Sequence, residues 1–159
     1  MSHAIEERSL IILKPDALQR GLVGEIFRRF EKKGLKILGL KMVELEDLML
    51  DEHYAHHKDK PFFVSLKRYM KSTPVILVVL SGIKAIQAIR LIVGPTRGYE
   101  ADAGSIRGDF AMSGQSNIVH ASDSPENADL EIKRFFNPDE LFDYQKPDFP
   151  WLYSDSLTG

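Results

Sequence analysis

Residues 117–124, Asn-Ile-Val-His-Ala-Ser-Asp-Ser, carry the groups of this sequence with the clearest chemical potential. A short β-branched run predicts a strand that carries His120 outward, and the polar residues after it predict the start of a helix. Ser124 can cap that helix, and Pro125 fits its first position. Helix N-termini gather anions through free backbone N–H groups, so this histidine stands where a phosphate could bind. A lone histidine is nevertheless more often a surface or structural residue than a nucleophile.

Several other side chains are suited to phosphate. Lys14 directly follows a predicted buried strand, which would place its compact charge rigidly. Arg90 and Arg107 bracket a loop that contains Thr96, and guanidinium groups bind phosphate oxygens through paired hydrogen bonds. Each residue alone has an ordinary alternative, a strand-end lysine in solvent or an arginine in a surface salt bridge. Together with His120 they predict a site that handles phosphate.

Glu131 is the predicted partner of His120. The helix predicted over residues 125–136 has an apolar stripe, and Glu131 falls at its edge beside Phe135, so its carboxylate faces partly inward. An inward carboxylate needs a partner, and a carboxylate fixes the tautomer and orientation of an imidazole ring. A salt bridge from Glu131 to a lysine or arginine at the helix edge is equally compatible with the spacing.

Two further patterns indicate weaker alternatives. His53, His56 and His57 could present imidazoles on one helical face, but no metal-binding motif accompanies them, and a solvated polar face is favoured. Residues 21–24, Gly-Leu-Val-Gly, match the loop of KH RNA-binding domains over only four positions. The sequence contains no P-loop motif, so a phosphate site in this protein is of another type.

Composition limits the class of protein. The 159 residues include no cysteine and carry a net charge of −2, which excludes disulfides and thiolate metal sites and gives no general attraction to nucleic acid. We expect one domain over residues 1–159, with a polar lead at 1–8 and a tail rich in proline and aromatic residues at 142–159. Every apolar run is too short for a signal peptide or a membrane span, so we expect a cytoplasmic protein.

The elements that must position these residues follow from hydrophobic patterning. Strands are predicted over residues 9–13, 35–45, 74–80 and 118–120. Helices are predicted from residue 23 to a stop at Gly34, over 47–71 with a break at residues 60–61, and over 83–93 and 125–136, while 94–105 form a loop. This order contains the βαββαβ pattern of an α+β, ferredoxin-like (split βαβ) antiparallel four-stranded sheet, with helices expected on one face. The fold hosts many functions and identifies no activity by itself.

Residues 117–124 and five other motifs together resemble the nucleoside diphosphate kinase family. In order, the others are Leu-Lys-Pro-Asp-Ala at 13–17, Gln-Arg-Gly-Leu-Val-Gly-Glu at 19–25, His-Tyr at 53–54, Lys-Pro-Phe-Phe at 60–63 and Ile-Arg-Gly-Asp-Phe at 106–110. The resemblance spans residues 9–151. It implies the ferredoxin-like fold and a Mg²⁺-dependent, ping-pong transfer of the γ-phosphate, mainly from ATP, to nucleoside diphosphates with broad base specificity.

The resemblance also implies a role for each matching residue. His120 would be phosphorylated, with Glu131 as its orienting partner and Ser122 assisting at the histidine. Lys14 and Asn117 would contact the ribose hydroxyl. The residues that would hold phosphates are Lys14, Tyr54, Arg90, Thr96 and Arg107.

The base, the metal and the assembly complete this expectation. Phe62 would stack on the base, a contact that tolerates every base. Mg²⁺ would bind mainly through the nucleotide phosphates, with no ligand from the protein. A homo-oligomer, a tetramer or hexamer built from dimers, is expected, and neither membrane nor nucleic acid is required. Departures from the family pattern at residues 97–99, 103 and 115–116 keep the motif spacing but leave tetramer and hexamer both open.

A non-catalytic alternative also stays open, a ferredoxin-like regulatory module that binds a nucleotide or RNA. The near-neutral charge and the lack of an aromatic RNA-binding strand motif count against RNA. An inactive homologue is disfavoured because every catalytic position is filled. An acid-labile, alkali-stable phosphate formed from ATP would distinguish the enzyme from a binding module.

Overall fold

In a computed structural model that describes residues 6–154, four strands form one antiparallel sheet. Strands β1 (Glu7–Leu13) and β3 (Val75–Gly82) lie at its centre, where runs of aliphatic residues are buried. Strands β2 (Lys36–Val43) and β4 (Val119–Ala121) are the edges, in the order β2-β3-β1-β4. This sheet and its flanking helices confirm the predicted ferredoxin-like α+β fold.

Eight α-helices lie among the described residues, together with three short 3₁₀ helices. The α-helices are α1 (Pro15–Gln19), α2 (Val23–Lys32), α3 (Asp47–His53), α4 (Phe63–Met70), α5 (Ala85–Val93), α6 (Ile106–Phe110), α7 (Pro125–Phe135) and α8 (Phe149–Leu152). The 3₁₀ helices are Ala55–His57, Gly98–Glu100 and Pro138–Glu140. The predicted break between the two helical pieces of residues 47–71 is therefore present, although it begins earlier, after His53.

Helices cover both faces of the sheet, so the expectation of helices on one face is wrong. Leu10 and Ile12 of β1 pack with α3, α4 and α7, whereas Ile11 and Leu13 of the same strand pack with α2 and α5. Successive side chains of a strand point to opposite faces, so a strand covered on both sides needs a continuous apolar run. Burial on both faces of the sheet is therefore the reason why residues 10–13 are all apolar.

Several element boundaries differ from the predicted ones. β1 begins at Glu7, inside the predicted polar lead, because its backbone pairs with β3 whether or not the side chains are apolar. Helix α5 begins at Ala85 because Lys84 has a positive φ of 60°. The short helices α1, α6 and α8 were not predicted, since four or five residues are too few to show a helical period.

The C-terminal segment lies along β2. The amide of Phe142 donates to the carbonyl of Leu38 at 2.8 Å, and the Tyr144 hydroxyl donates to the carbonyl of Ile37 at 2.7 Å. Residues 1–5 of the predicted lead and 155–159 of the predicted tail lie outside the described residues. Within residues 6–154, every helix is too short or too polar to cross a lipid bilayer.

Candidate active site

A strained turn leads into β4 and places His120. The amide of Val119 donates to the carbonyl of Asn117 at 2.8 Å, which closes a three-residue turn around Ile118. Ile118 has a φ of 76°, which a β-branched residue rarely adopts. Its amide donates to the Asp16 carboxylate at 3.0 Å, and its side chain is fully buried. Packing and this hydrogen bond therefore hold a strained conformation two residues before the histidine.

His120 and Glu131, the two predicted partners, lie together. Nε2 of His120 is 2.6 Å from Oε2 of Glu131, which projects from the middle of α7. Helix α7 begins as predicted, since the amide of Asn127 donates to the Ser124 hydroxyl at 3.1 Å. Burial alone would raise the pKa of Glu131, but the contacts with His120, together with Ser122 and Arg134, outweigh it and the net pKa is lowered. The Glu131 carboxylate is thus held as an anion against Nε2 of His120. The other nitrogen of the ring is Nδ1.

Ser122 fastens this corner of the sheet to β1. Its hydroxyl is fully buried and accepts a hydrogen bond from the amide of Leu10 at 2.9 Å. The same hydroxyl also helps to lower the pKa of Glu131. Ser122 therefore acts on the carboxylate beside His120 and on the strand pairing that carries the histidine.

His53 is part of the site, although its sequence pattern favoured a solvated polar face. That prediction is wrong for this residue, because its side chain is only 3% exposed and its ring centre lies 4.8 Å from that of His120. Nη1 of Arg134 lies 2.9 Å from Nδ1 of His53. Burial, followed by the proximity of His120 and Arg134, lowers the pKa of His53 to about 2, so the ring is neutral. His56, in contrast, is exposed as predicted.

A row of rings connects His53 to the surface. Tyr54 contacts His53 edge-on with ring centres 4.7 Å apart, and His57 stands between Tyr54 and Phe62. Phe62 is 43% exposed, at the start of α4. The Tyr54 hydroxyl is buried and has no hydrogen-bond partner among the described residues. Burial and the Glu131 carboxylate raise the pKa of Tyr54, so this hydroxyl keeps its proton and is free to donate it in a hydrogen bond.

Lys14 and Asn117 form the opposite wall of the site. Nζ of Lys14 donates to Oδ1 of Asn117 at 2.7 Å, and the amide nitrogen of Asn117 donates to the backbone carbonyls of Thr96 and Gly114. Both side chains are buried. Burial, aided by the nearby Arg107 guanidinium, lowers the pKa of Lys14 to about 7. The lysine therefore changes charge near neutral pH, which sequence patterning did not indicate.

The two predicted arginines differ in how firmly they are held. Arg107 is buried and donates to the carbonyls of Asn117, Gly94 and Val119 at 3.1, 3.0 and 2.5 Å. Burial, with Arg90 nearby, lowers the pKa of Arg107 to about 10, so the group is still cationic at neutral pH. Arg90 is exposed, and Nη1 reaches the carbonyl of Ala121 at 3.5 Å. Arg107 is thus held by three backbone carbonyls, whereas the exposed Arg90 makes a long hydrogen bond to one.

One group of metal-ligating atoms occurs within residues 6–154, formed by His53, His120 and Glu131. Its ligand atoms lie within 4.8 Å of one another. The contact with Arg134 occupies Nδ1 of His53, and Glu131 already contacts His120. These engaged groups do not form an open cage for a metal ion.

Sequence reasoning missed three residues that shape the site, namely Asp16, His53 and Arg134. Asp16 also accepts a hydrogen bond from the Tyr69 hydroxyl, and so joins α1 and α4 to the turn before β4. Its place in the Lys-Pro-Asp motif was the available signal. Arg134 contacts His53, which is 81 residues away in the sequence, and local sequence patterns do not indicate contacts between such distant residues.

Comparison with known proteins identifies the family. A family model described as nucleoside diphosphate kinase matches residues 7–141. The nucleoside diphosphate kinase of Parabacteroides distasonis is 54% identical over 149 residues, which cover 94% of this chain and 97% of that protein. The one from Pyrococcus abyssi is 49% identical over 155 residues, covering 96% and 97%. The structure of a halophilic nucleoside diphosphate kinase from Halobacterium salinarum in complex with CDP has a TM-score of 0.91 at 39% identity, and the match covers 94% of this chain and 100% of that one.

The chain belongs to the nucleoside diphosphate kinase family. It is an enzyme that transfers phosphate from nucleoside triphosphates to nucleoside diphosphates, which confirms the activity predicted from the motifs. The non-catalytic binding module is not favoured. Enzymes of this family need a divalent metal.

Proposed function

We propose that the transfer passes through a phosphate bound covalently to Nδ1 of His120. The observation that carries this proposal is the 2.6 Å contact between Nε2 and the Glu131 carboxylate. Because the carboxylate engages Nε2, it favours a proton on that nitrogen and leaves the lone pair on Nδ1. An anion at this place also stabilises the positive charge that develops on the ring when Nδ1 forms a bond.

The two half-reactions then use the same groups in opposite directions. The Nδ1 lone pair attacks the γ-phosphorus, the bond from phosphorus to the bridging oxygen breaks, and the nucleoside diphosphate leaves. An oxygen of the terminal phosphate of the second diphosphate next attacks the phosphorus, the N–P bond breaks, and the ring returns to its neutral form. Such a scheme gives ping-pong kinetics, because the first product leaves before the second substrate binds.

The cationic and hydroxyl groups around His120 would hold the phosphates. Arg107 is locked by three backbone carbonyls, so its remaining N–H groups are oriented before the nucleotide arrives. Arg90 is mobile enough to close onto a phosphate oxygen, and the free Tyr54 hydroxyl can donate one more hydrogen bond. The exposed Thr96 hydroxyl and Lys14 complete this set.

The nucleoside would lie between Phe62 and the Lys14–Asn117 pair. The exposed Phe62 ring offers a flat apolar face on which any base can stack. The hydrogen-bonded Lys14 and Asn117 offer polar atoms for the ribose hydroxyl. The CDP in the halobacterial relative supports a diphosphate as one substrate.

We propose Mg²⁺ as the divalent metal, held by the nucleotide phosphates rather than by the protein. Two carboxylates of the site are engaged, since Glu131 contacts the His120 ring and Asp16 accepts from Ile118 and Tyr69. Mg²⁺ prefers oxygen ligands and commonly binds through substrate phosphates. Bound there, it would neutralise charge on the transferring group.

Incubation of the protein with ATP labelled at the γ-phosphate tests the central proposal. We expect an acid-labile, alkali-stable phosphate, a ³¹P–¹⁵N coupling to Nδ1, and parallel double-reciprocal plots at several acceptor concentrations. His120→Ala is expected to abolish labelling and to keep nucleotide binding, whereas His56→Ala, which alters an exposed histidine, is expected to label normally. Label on Nε2, or intersecting plots, would contradict the scheme.

The assembly, the domain and the compartment stay predictions. A homo-oligomer is supported by the edge strand β2, on which Leu40 and Met42 are 55% and 61% exposed. Edge strands with exposed apolar side chains favour pairing with another chain. Light scattering of the purified protein distinguishes a tetramer from a hexamer. One domain over residues 1–159, working in the cytoplasm, is the corresponding expectation from the sequence.

A further inference from the structure

Arg134 of α7 contacts two consecutive residues of α3, Glu52 and His53. Nη1 lies 2.9 Å from Nδ1 of His53, and Nε lies 3.4 Å from Oε1 of Glu52. The arginine side chain is only 17% exposed. Arg134 and Glu131 are three residues apart on α7 and therefore share a face of the helix. The Arg134 charge is also near enough to Glu131 to help lower the pKa of that carboxyl.

The contact with Arg134 determines which nitrogen of His53 carries the proton. A guanidinium can only donate hydrogen bonds, so Nδ1 of His53 must be the acceptor. The proton of the neutral ring then belongs on Nε2. Burial and the surrounding groups His120, Arg134, Lys14 and His56 all lower the pKa of this ring, so it does not take up a second proton.

The tautomer matters because His53 and His120 face the same carboxylate oxygen. Oε2 of Glu131 lies 2.6 Å from Nε2 of His120 and 3.7 Å from Nδ1 of His53. A proton on Nδ1 of His53 would make this nitrogen a second donor, and a small movement would bring it within hydrogen-bond distance of Oε2. The two rings would then compete for one oxygen, and the carboxylate could turn away from His120.

We propose that Arg134 is a positioning residue for the phosphotransfer, because it keeps Nδ1 of His53 unprotonated and so reserves the Glu131 carboxylate for His120. This inference rests on the proposed phosphorylation of His120. The carboxylate of Glu52, 3.4 Å from Nε, adds an ion pair to the guanidinium. The charge of Arg134 also favours the ionised form of Glu131.

Substitution of Arg134 by Met tests the proposal, since Met keeps an unbranched apolar stem and loses both the donors and the charge. We expect the phosphorylation of the enzyme by ATP, measured by rapid quench in a single turnover, to slow by about tenfold. A loss of this order is typical when a residue that orients an active-site ligand is removed. The dissociation constant of ADP is expected not to change. Arg134→Lys retains a donor and should restore most of the rate. Lys133→Met, at the neighbouring exposed position, should behave as wild type.

Two further measurements distinguish positioning from a merely structural role. The ¹⁵N shifts of His53 should report a proton on Nε2 in the wild type and on Nδ1 in Arg134→Met. In a His53→Phe background, which has no competing donor, Arg134→Met should cost little of the phosphorylation rate. An unchanged tautomer, an unchanged rate, or an equal loss in the His53→Phe background would overturn the proposal. If wild type and Lys133→Met form no phosphohistidine at all, the proposed mechanism fails instead.

Discussion

The Nε2 atom of His120 lies 2.6 Å from Oε2 of Glu131, although one residue is on an edge strand and the other on a helix. The cap at Ser124 starts α7 soon after β4 ends, so the helix folds back over β1 with Glu131 facing the histidine. This contact distinguishes the two nitrogens of the His120 ring, since Nε2 is turned to the protein and Nδ1 is the nitrogen proposed to react with the substrate.

Glu131→Gln tests the end turned to the protein. Glutamine keeps the size of the side chain but removes the negative charge that favours a proton on Nε2. We expect enzyme phosphorylation to slow by about 10–100-fold, as for other partners of active-site groups, with nucleotide affinity unchanged. Rapid-quench kinetics measure the first quantity and calorimetry the second. Asp129→Asn is the matched control, because Asp129 lies on the same helix as Glu131 and pairs only at the surface, with Arg8 of β1. A wild-type rate in Glu131→Gln would contradict the pairing.

The lowered pKa of Lys14 predicts that the protein takes up a proton when a nucleotide binds. Its pKa is lowered from 10.5 to about 7 in the free protein, so the amine is mostly neutral at about pH 8. An anionic nucleotide beside it should raise this pKa again, and a proton is then taken up. Calorimetry in two buffers of different ionisation enthalpy measures this uptake. Lys14→Met should remove it, and an equal uptake in the variant would show that another group titrates.

The same lowered pKa has a consequence for stability. Between about pH 7 and pH 10.5 the unfolded chain holds more protons at this residue than the folded chain does. Lys14 therefore makes the free energy of unfolding increase as the pH rises through that window. Urea unfolding at several pH values should show this slope in the wild type and a smaller slope in Lys14→Met.

Two glycine substitutions should change stability in opposite directions. A Cβ at Gly108 would overlap the backbone carbonyl of Asp102 and crowd the hydroxyl of Ser105, so Gly108→Ala should displace α6 and cost roughly 1–3 kcal/mol. A Cβ at Gly24 of α2 meets nothing within 4 Å, and Gly24→Ala should stabilise the helix by about 0.5–1 kcal/mol. Chemical denaturation measures both changes. Activity should fall only in Gly108→Ala, because Arg107 is its neighbour on α6.

The sequence predicted the contacts that depend on local periodicity. The 3.6-residue period of α7 predicted that Glu131 faces inward. Its spacing fitted a salt bridge to a lysine or arginine equally well, and the structure shows the contact with His120. The antiparallel sheet was predicted from the βαββαβ succession of the elements. The helices on the second face were not, because a continuous apolar strand such as β1 reports burial without reporting what covers it.

The contacts that sequence reasoning missed depend on tertiary packing. A β-branched residue such as Ile118 favours extended backbone. Burial of its side chain and the hydrogen bond that its amide donates to Asp16 hold it at a positive φ. The lowered pKa of Lys14 arises from burial, which becomes visible only when the strands and loops are assembled. The pairing of Arg134 with His53 joins two helices that are far apart in the sequence.

Phe62→Ala tests how the base is recognised. Stacking on the exposed Phe62 ring does not depend on the edges of the base, so GDP, UDP, CDP and their deoxy forms should lose binding by a similar factor, about 1–3 kcal/mol each. Steady-state kcat/KM across these acceptors measures the change. Val64→Ala, at a position 67% exposed on the same helix, is the control and should leave all values unaltered. A loss confined to purines, or a strict preference for one base in the wild type, would mean that polar groups read the base edges. A uniform loss would instead place recognition on the stacked ring, the ribose and the phosphates, which all nucleotides share.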